Sequence, residues 1–141
     1  LTTAPIIPDS VTDLNWTFRG CTSLTTAPTI PSSVTSLYNT FSGCTSLKTA
    51  PTIPNSVTNM SLTFDGCTSL TTASTIPNSV TDMYSTFRNC TSLTGTITIN
   101  ANPTSYYYCF YNTSKSIVLT GSSKLLKELS NTNRYRNINV K

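Results

Sequence analysis

The sequence has no histidine, only five carboxylates and only five glycines in 141 residues. Without an imidazole there is no base for a triad-type nucleophile. Zinc is disfavoured too, because the five cysteines include no C-x-x-C pair and no histidine complements them. The carboxylates Asp9, Asp13, Asp65, Asp82 and Glu128 are scattered. Asp13 and Asp82 share one position of the repeat described below, but three units apart, roughly 14 Å at strand spacing. That is too far for a paired-carboxylate mechanism. No glycine-rich phosphate loop occurs, and no apolar run is long enough to span a bilayer. An enzyme is therefore not expected, and no catalytic, cofactor-binding or metal-binding residue is assigned.

Charge is also scarce, at 10% of residues, which argues against a highly charged disordered tail. The net charge of +4 is uneven. Residues 1–112 carry Arg19, Lys48 and Arg88 against four Asp, a balance of −1. Residues 113–141 carry Lys115, Lys124, Lys127, Arg134, Arg136 and Lys141 against Glu128, a balance of +5. A basic end can meet acidic polymers, but no nucleic-acid motif accompanies it, and a solvated terminal segment explains it equally well.

What the chain has instead is Ser and Thr, about a third of all residues. Their hydroxyls compete with helical backbone bonds, and β-branched Thr favours strands. The length fits one domain. The chain opens on "LTTAPIIP", which matches the middle of a repeat. It is expected to be a piece of a longer protein, with any signal or anchor outside it.

The organising feature is a period of 23. Phe18, Phe41, Phe64, Phe87 and Phe110 recur at that interval, as do Cys21, Cys44, Cys67 and Cys90, after which Thr113 takes the slot. Leu1, Leu24, Leu47, Leu70 and Leu93 keep step, with Ile7, Ile30, Ile53, Ile76 and Ile99. Val11, Val34, Val57 and Val80 follow, then Leu14, Leu37, Met60, Met83 and Tyr106. A 23-residue unit cannot bury its own apolar face, so stacked units must share one core in which each slot becomes a ladder. Pro31, Pro54 and Pro77 follow the Ile ladder and mark turns. Gly20, Gly43 and Gly66, then Asn89 and Asn112, occupy a slot suited to left-handed backbone. A short strand is expected at "SLTTA" and its equivalents, and a turn or helical twist through "SVTSLYNTF". Five coils and a cap stacked at about 4.8 Å give a rod roughly 25–30 Å long.

The recurrent cysteines read as a buried, reduced ladder of small apolar groups. Parallel side chains seldom offer disulfide geometry, and Cys109, off the ladder in the slot of Thr40, Thr63 and Thr86, makes the count odd. The threonine columns Thr22, Thr45, Thr68, Thr91 and Thr29, Thr52, Thr75, Thr98 suit strand faces with hydrogen bonds between coils. A flat ice-binding array is a remote alternative, and Lys48 interrupts the neighbouring column. The sequons at Asn15, Asn59, Asn89 and Asn112 are assigned no role. At the C-terminus, "SSKLLKELS" (122–130) predicts a helix presenting Leu125, Leu126 and Leu129, and "INV" (138–140) a last strand. Residues 113–141 are expected to cap the open end, with their positive charge outward.

These slots resemble the BspA-like, or treponemal-type, leucine-rich repeats of bacterial surface proteins. That unit runs approximately C-x-x-L-x-x-I-x-I-P-x-x-V-x-x-I-x-x-x-A-F-x-x-C. Cys21, Leu24, Ile30, Pro31, Val34, Leu37, Phe41 and Cys44 take those places in order. "VTNMSLTF" (57–64) and "VTDMYSTF" (80–87) also resemble a related surface-protein repeat of the V-T-N-M-x-x-M-F type. The chain departs from the first pattern at Ala27-Pro28 and in the shorter spacing from Leu37 to Phe41. The resemblance implies an α/β solenoid, a right-handed superhelix of 23-residue coils with one short strand per coil, otherwise β and irregular. Residues 1–112 form five coils, the first truncated, and 113–141 the cap. It also implies an extracellular bacterial module, on the cell surface or secreted, that binds protein or glycan in adhesion. A structural spacer projecting other domains is the alternative.

Within the repeats the inward slots barely change, while a few outward slots vary freely. The freest column holds Asn15, Tyr38, Ser61, Tyr84 and Tyr107, and the next Trp16, Asn39, Leu62, Ser85 and Tyr108. Exposed tyrosines offer flat apolar area and a hydroxyl at low entropic cost. The candidate partner-binding stripe is Tyr38, Tyr84, Tyr107 and Tyr108 with Arg88 beside it. The competing reading is that these rings pack over neighbouring turns and only cover the core.

Overall fold

The computed structural model describes residues 1–114, 116–121, 124–131 and 138–141. Proline decides how much regular strand they form. In the first three coils the segment after the Leu ladder runs into Pro5, Pro28 or Pro51. Proline brings no N–H to a ladder, so pairing stops early. "SLTTA" and its equivalents make only the isolated parallel bridges Thr3↔Thr26 and Thr49↔Thr72. "GTIT" carries no proline and forms β1 (Gly95–Thr98). β1 pairs in parallel with β2 (Ile117–Thr120), and β2 with β3 (Asn139–Val140). The expected strand in every coil is thus realised only from Gly95 onward, and the preceding coils are irregular.

The isolated bridges join residues 23 apart, so the sequence period is the structural step. β1 and β2 pair with one residue fewer, Gly95 opposite Ile117. The coils are tied most densely along the turn segment. The N–H groups of Leu14, Trp16, Phe18 and Gly20 donate to the carbonyls of Ser36, Tyr38, Thr40 and Ser42 at 2.7–3.1 Å. Those of Leu37, Asn39, Phe41 and Gly43 repeat this one coil on. Between them, Thr17, Arg19 and Cys21 close turns onto Leu14, Trp16 and Phe18. Every second N–H therefore holds the next coil, and the others hold their own turn.

This alternation requires two left-handed residues per coil. One is the glycine slot: Gly20, Gly43 and Gly66 have φ of 71–73°, and Asn89 and Asn112 follow at 60° and 54°. The other holds Trp16, Asn39, Leu62, Ser85 and Tyr108, at φ of 52–64°.

Inside, the ladders form one apolar cluster. The phenylalanine rings stack 5.4–5.7 Å apart and within 10° of parallel. Cys44, Cys67 and Cys90 are buried beside them, and all five cysteines are free thiols. Cys21 in the first coil is only partly buried, against the expectation of a fully buried ladder. The other three ladder thiols donate to a carbonyl of the preceding coil: Cys44 to Phe18, Cys67 to Phe41 and Cys90 to Phe64, at 3.0–3.1 Å. The buried hydroxyls of Thr40, Thr63 and Thr86 do the same to Leu14, Leu37 and Met60 at 2.9 Å. Cys109, in that threonine slot, is buried as well.

The C-terminal helix α1 (Lys124–Asn131) buries Leu125, Leu126 and Leu129 in the same cluster and leaves Lys124 and Lys127 exposed. The predicted serine start at 122–123 lies outside the described residues, as do Lys115, Arg134 and Arg136 of the basic segment. Tyr106 donates its hydroxyl to Glu128, and the Lys124 N–H donates to Asn102 Oδ1 at 2.6 Å. The chain enters this segment through Gly121 at φ 129°, where a Cβ would overlap the Ile99 carbonyl.

Candidate functional site

The variable columns lie along the turn segment, so their side chains are set by the tightest inter-coil bonding in the molecule. They fall into two aromatic clusters. At one end Trp16 meets Tyr38 edge-on, with ring centroids 5.2 Å apart, and the Arg19 guanidinium lies 5.1 Å from the Trp16 ring. At the other, Tyr84 meets Tyr108 edge-on at 6.2 Å, and Tyr108 meets Tyr111 the same way at 5.7 Å. Tyr107 stacks on Tyr106 at 5.9 Å. Between the clusters the third coil offers Ser61, Leu62 and Asp65, none aromatic. Trp16 and Tyr108 are four coils apart, roughly 19 Å at strand spacing.

The stripe predicted from sequence is therefore divided. Tyr84, Tyr107 and Tyr108 share one end and are exposed, whereas half-buried Tyr38 belongs with Trp16 at the other. Arg88 sits beside the tyrosines, but its guanidinium is held by Asp65 of the preceding coil. Nε donates to Oδ1 at 3.0 Å and Nη2 to Oδ2 at 2.9 Å. That hydrogen-bonded carboxylate pushes the Arg88 pKa up. Trp16, Arg19 and Tyr111 were not singled out, yet they touch the predicted residues or one another. Their columns carried the signal, because Trp16 and Tyr108 fill one slot and Arg19, Arg88 and Tyr111 another.

Trp16 and Tyr108 also occupy the second left-handed slot. A non-glycine residue there costs roughly 1–2 kcal/mol, and Asn, found at position 39, fits it best after glycine. Neither ring recovers that cost in the core: Trp16 is 48% exposed and Tyr108 38%. Large aromatics thus stand at a strained position and face water. Within the same column, Asn39 Oδ1 and Ser85 Oγ are buried without a hydrogen-bond partner.

The exposed threonines are committed differently. Thr25, Thr35, Thr58, Thr81 and Thr104 turn their hydroxyls onto carbonyls of the preceding coil, 23 residues back, at 3.2–3.3 Å. They act as ties between coils. Among the described residues, no three His, Cys, Asp or Glu side chains gather as a metal site.

Comparison with known families decides the lineage. The BspA type leucine rich repeat region matches in six copies across residues 2–117. The chain belongs to that family. No curated protein and no solved structure matches it. The BspA-type match extends past the fifth coil to Ile117, the first residue of β2. Leucine-rich repeats of this kind are typically non-enzymatic, commonly surface-associated or secreted, and generally mediate protein binding. Among the described residues, no helix is long and apolar enough to cross a membrane.

Proposed function

We propose that this BspA-type module is an extracellular bacterial binding domain, and that its aromatic turn face holds a partner protein or glycan in adhesion. The observation that carries the reading is the placement of Trp16 and Tyr108, strained in backbone and exposed in side chain. The slot takes left-handed backbone in every coil and Asn39 fills it with less strain, so the scaffold itself does not call for an exposed aromatic there. Trp, Tyr and Arg are also the side chains that dominate binding energy at interfaces. Tyr38, Tyr84, Tyr107 and Tyr108 form the core of this surface, with Trp16, Arg19 and Tyr111 extending it. Arg88 lends its exposed edge while Asp65 holds it in place. The scaffold is a right-handed superhelix of five coils over residues 1–112, the first truncated, and residues 113–141 cap its end.

The test replaces Tyr84 and Tyr107 together by Ala and measures melting temperature and binding to host-cell or matrix glycoproteins. Lost binding at unchanged stability supports the reading. Binding that survives turns the module into a spacer that only projects its neighbours.

A further inference from the structure

A second feature lies on another side of the coil, where the Ile-Pro segments stack. Shallow grooves separate successive coils there, of 370 Å³ between the first and second and 340 Å³ between the second and third. Both are lined by prolines, including Pro28 and Pro31 in the first and Pro51 and Pro54 in the second. Across the third to fifth coils the groove opens to 980 Å³.

Two proline ladders end at this place. The column Pro5, Pro28, Pro51 continues as Ser74, and the column Pro8, Pro31, Pro54, Pro77 continues as Asn100. Ser74 turns its hydroxyl down onto the Pro51 carbonyl at 2.7 Å. The space that a proline ring fills in the earlier coils is left open.

The lining is uniform in chemistry. Asn55, Asn78, Asn100 and Asn102 line it together with Thr52 and Thr75, and Ala73 and Pro77 add a small apolar patch to a mostly polar surface. No Asp, Glu, Lys or Arg contributes. Asn102 is fixed by its bond to the start of α1. Asn55, Asn78 and Asn100 make no side-chain hydrogen bond among the described residues, whereas Asn15, Asn59, Asn89 and Asn112 are all engaged by the coils. Turn geometry accounts for a small polar residue at 55 and 78, since Asp9 and Ser32 fill that column earlier. It does not account for Ser74 or Asn100, where proline is the standing choice.

We propose that this groove binds a neutral oligosaccharide, seating one or two sugar rings. Each primary amide offers two donors and an acceptor, which matches hydroxyls that both give and receive. The small apolar patch at Ala73 and Pro77 meets the C–H face of a sugar ring. An anionic ligand finds no counter-charge, and a protein partner finds none of the aromatic or arginine anchors that interfaces need. The volume is that of a small-molecule site. The site is independent of the aromatic face.

The experiment titrates the ¹⁵N-labelled chain with chitobiose, cellobiose and mannobiose at millimolar concentration and follows backbone and side-chain amides. The expected result is saturable shifts at Asn55, Asn78 and Asn100 with at least one of the three. Ser74→Pro refills the groove with the residue the two preceding coils use, and Asn78→Ala removes one amide. Each is expected to weaken binding about tenfold or more, the worth of a good hydrogen bond, at a melting temperature close to the parent's. Tyr84→Ala with Tyr107→Ala is expected to leave sugar binding unchanged. Absence of saturable shifts with all three sugars overturns the proposal. So does undiminished binding by both groove variants, or loss only in the tyrosine variant, which moves the sugar to the aromatic face.

Discussion

The Cys67 thiol donates a hydrogen bond to the Phe41 carbonyl oxygen at 3.0 Å, from one coil to the one before it. That carbonyl already receives the Cys44 N–H of its own turn. The thiol is therefore an added tie between coils as well as a packed apolar group. Cys44 and Cys90 repeat the arrangement. Replacing Cys67 by Ser is expected to destabilise the protein by about 1–3 kcal/mol. A hydroxyl enters an apolar ladder, and its shorter bond to Cβ draws the donor away from Phe41. Urea unfolding measures this, and an unchanged midpoint would remove the thiol's structural role.

Alkaline pH is expected to weaken the fold through the same ladder. Burial, reinforced by the neighbouring Cys21, pushes the Cys44 pKa up from 9.0 to about 11. Burial raises Cys67 and Cys90 further still. A raised thiol pKa contributes stability that is complete below pH 9.0, where the unfolded thiol is also protonated. That contribution is lost as pH rises toward the folded value, because only the unfolded state releases its proton. Melting temperature should fall from pH 9.0 to about 11, and less steeply in Cys44→Ala than in the parent. Equal slopes would place the alkaline sensitivity elsewhere. In the same range, a thiol reagent should label Cys44, Cys67 and Cys90 slowly in the native state and rapidly in denaturant, with the partly buried Cys21 reacting first.

Trp16→Asn separates binding from folding. It relieves the left-handed strain of roughly 1–2 kcal/mol. It removes an exposed cation–π contact of about 0.5–1 kcal/mol and an edge-on pair of similar size with Tyr38. These nearly cancel, so the unfolding midpoint should move by less than about 1 kcal/mol while partner binding weakens. A loss of stability above about 2 kcal/mol would make the ring a structural element.

Gly121→Ala tests whether the C-terminal segment completes the fold. The added methyl meets the Ile99 carbonyl, and φ of 129° suits no other residue. The expected cost exceeds about 2 kcal/mol. Hydrogen exchange should quicken first in β2 and α1, since they flank this point on either side. Uniform loss of protection along all coils would mean that the segment and the repeats unfold as one unit.

Some of this was legible in the residues because it is local or periodic. The ladders of Phe, Leu, Ile and Cys imposed a 23-residue step, since an apolar slot that recurs has to stack on its own copy to leave water. Gly20, Gly43 and Gly66, with Asn89 and Asn112, announced a left-handed turn because few other residues adopt one cheaply. Leu125, Leu126 and Leu129 announced α1 by their spacing. Other features depend on what the next coil supplies, and only the tertiary structure decided them. Strands failed in the early coils because Pro28 and Pro51 interrupt a ladder whose other half lies 23 residues away. Trp16 and Leu62 adopt left-handed backbone against their own preference, held there by N–H bonds to the Tyr38 and Tyr84 carbonyls. The tyrosine column is broken by Ser61 in the sequence, but which rings then meet, Trp16 with Tyr38 and Tyr84 with Tyr108 across neighbouring slots, was settled by side-chain direction. The amide groove arose where two proline ladders lapse in adjoining coils, a coincidence in space that no single repeat contains.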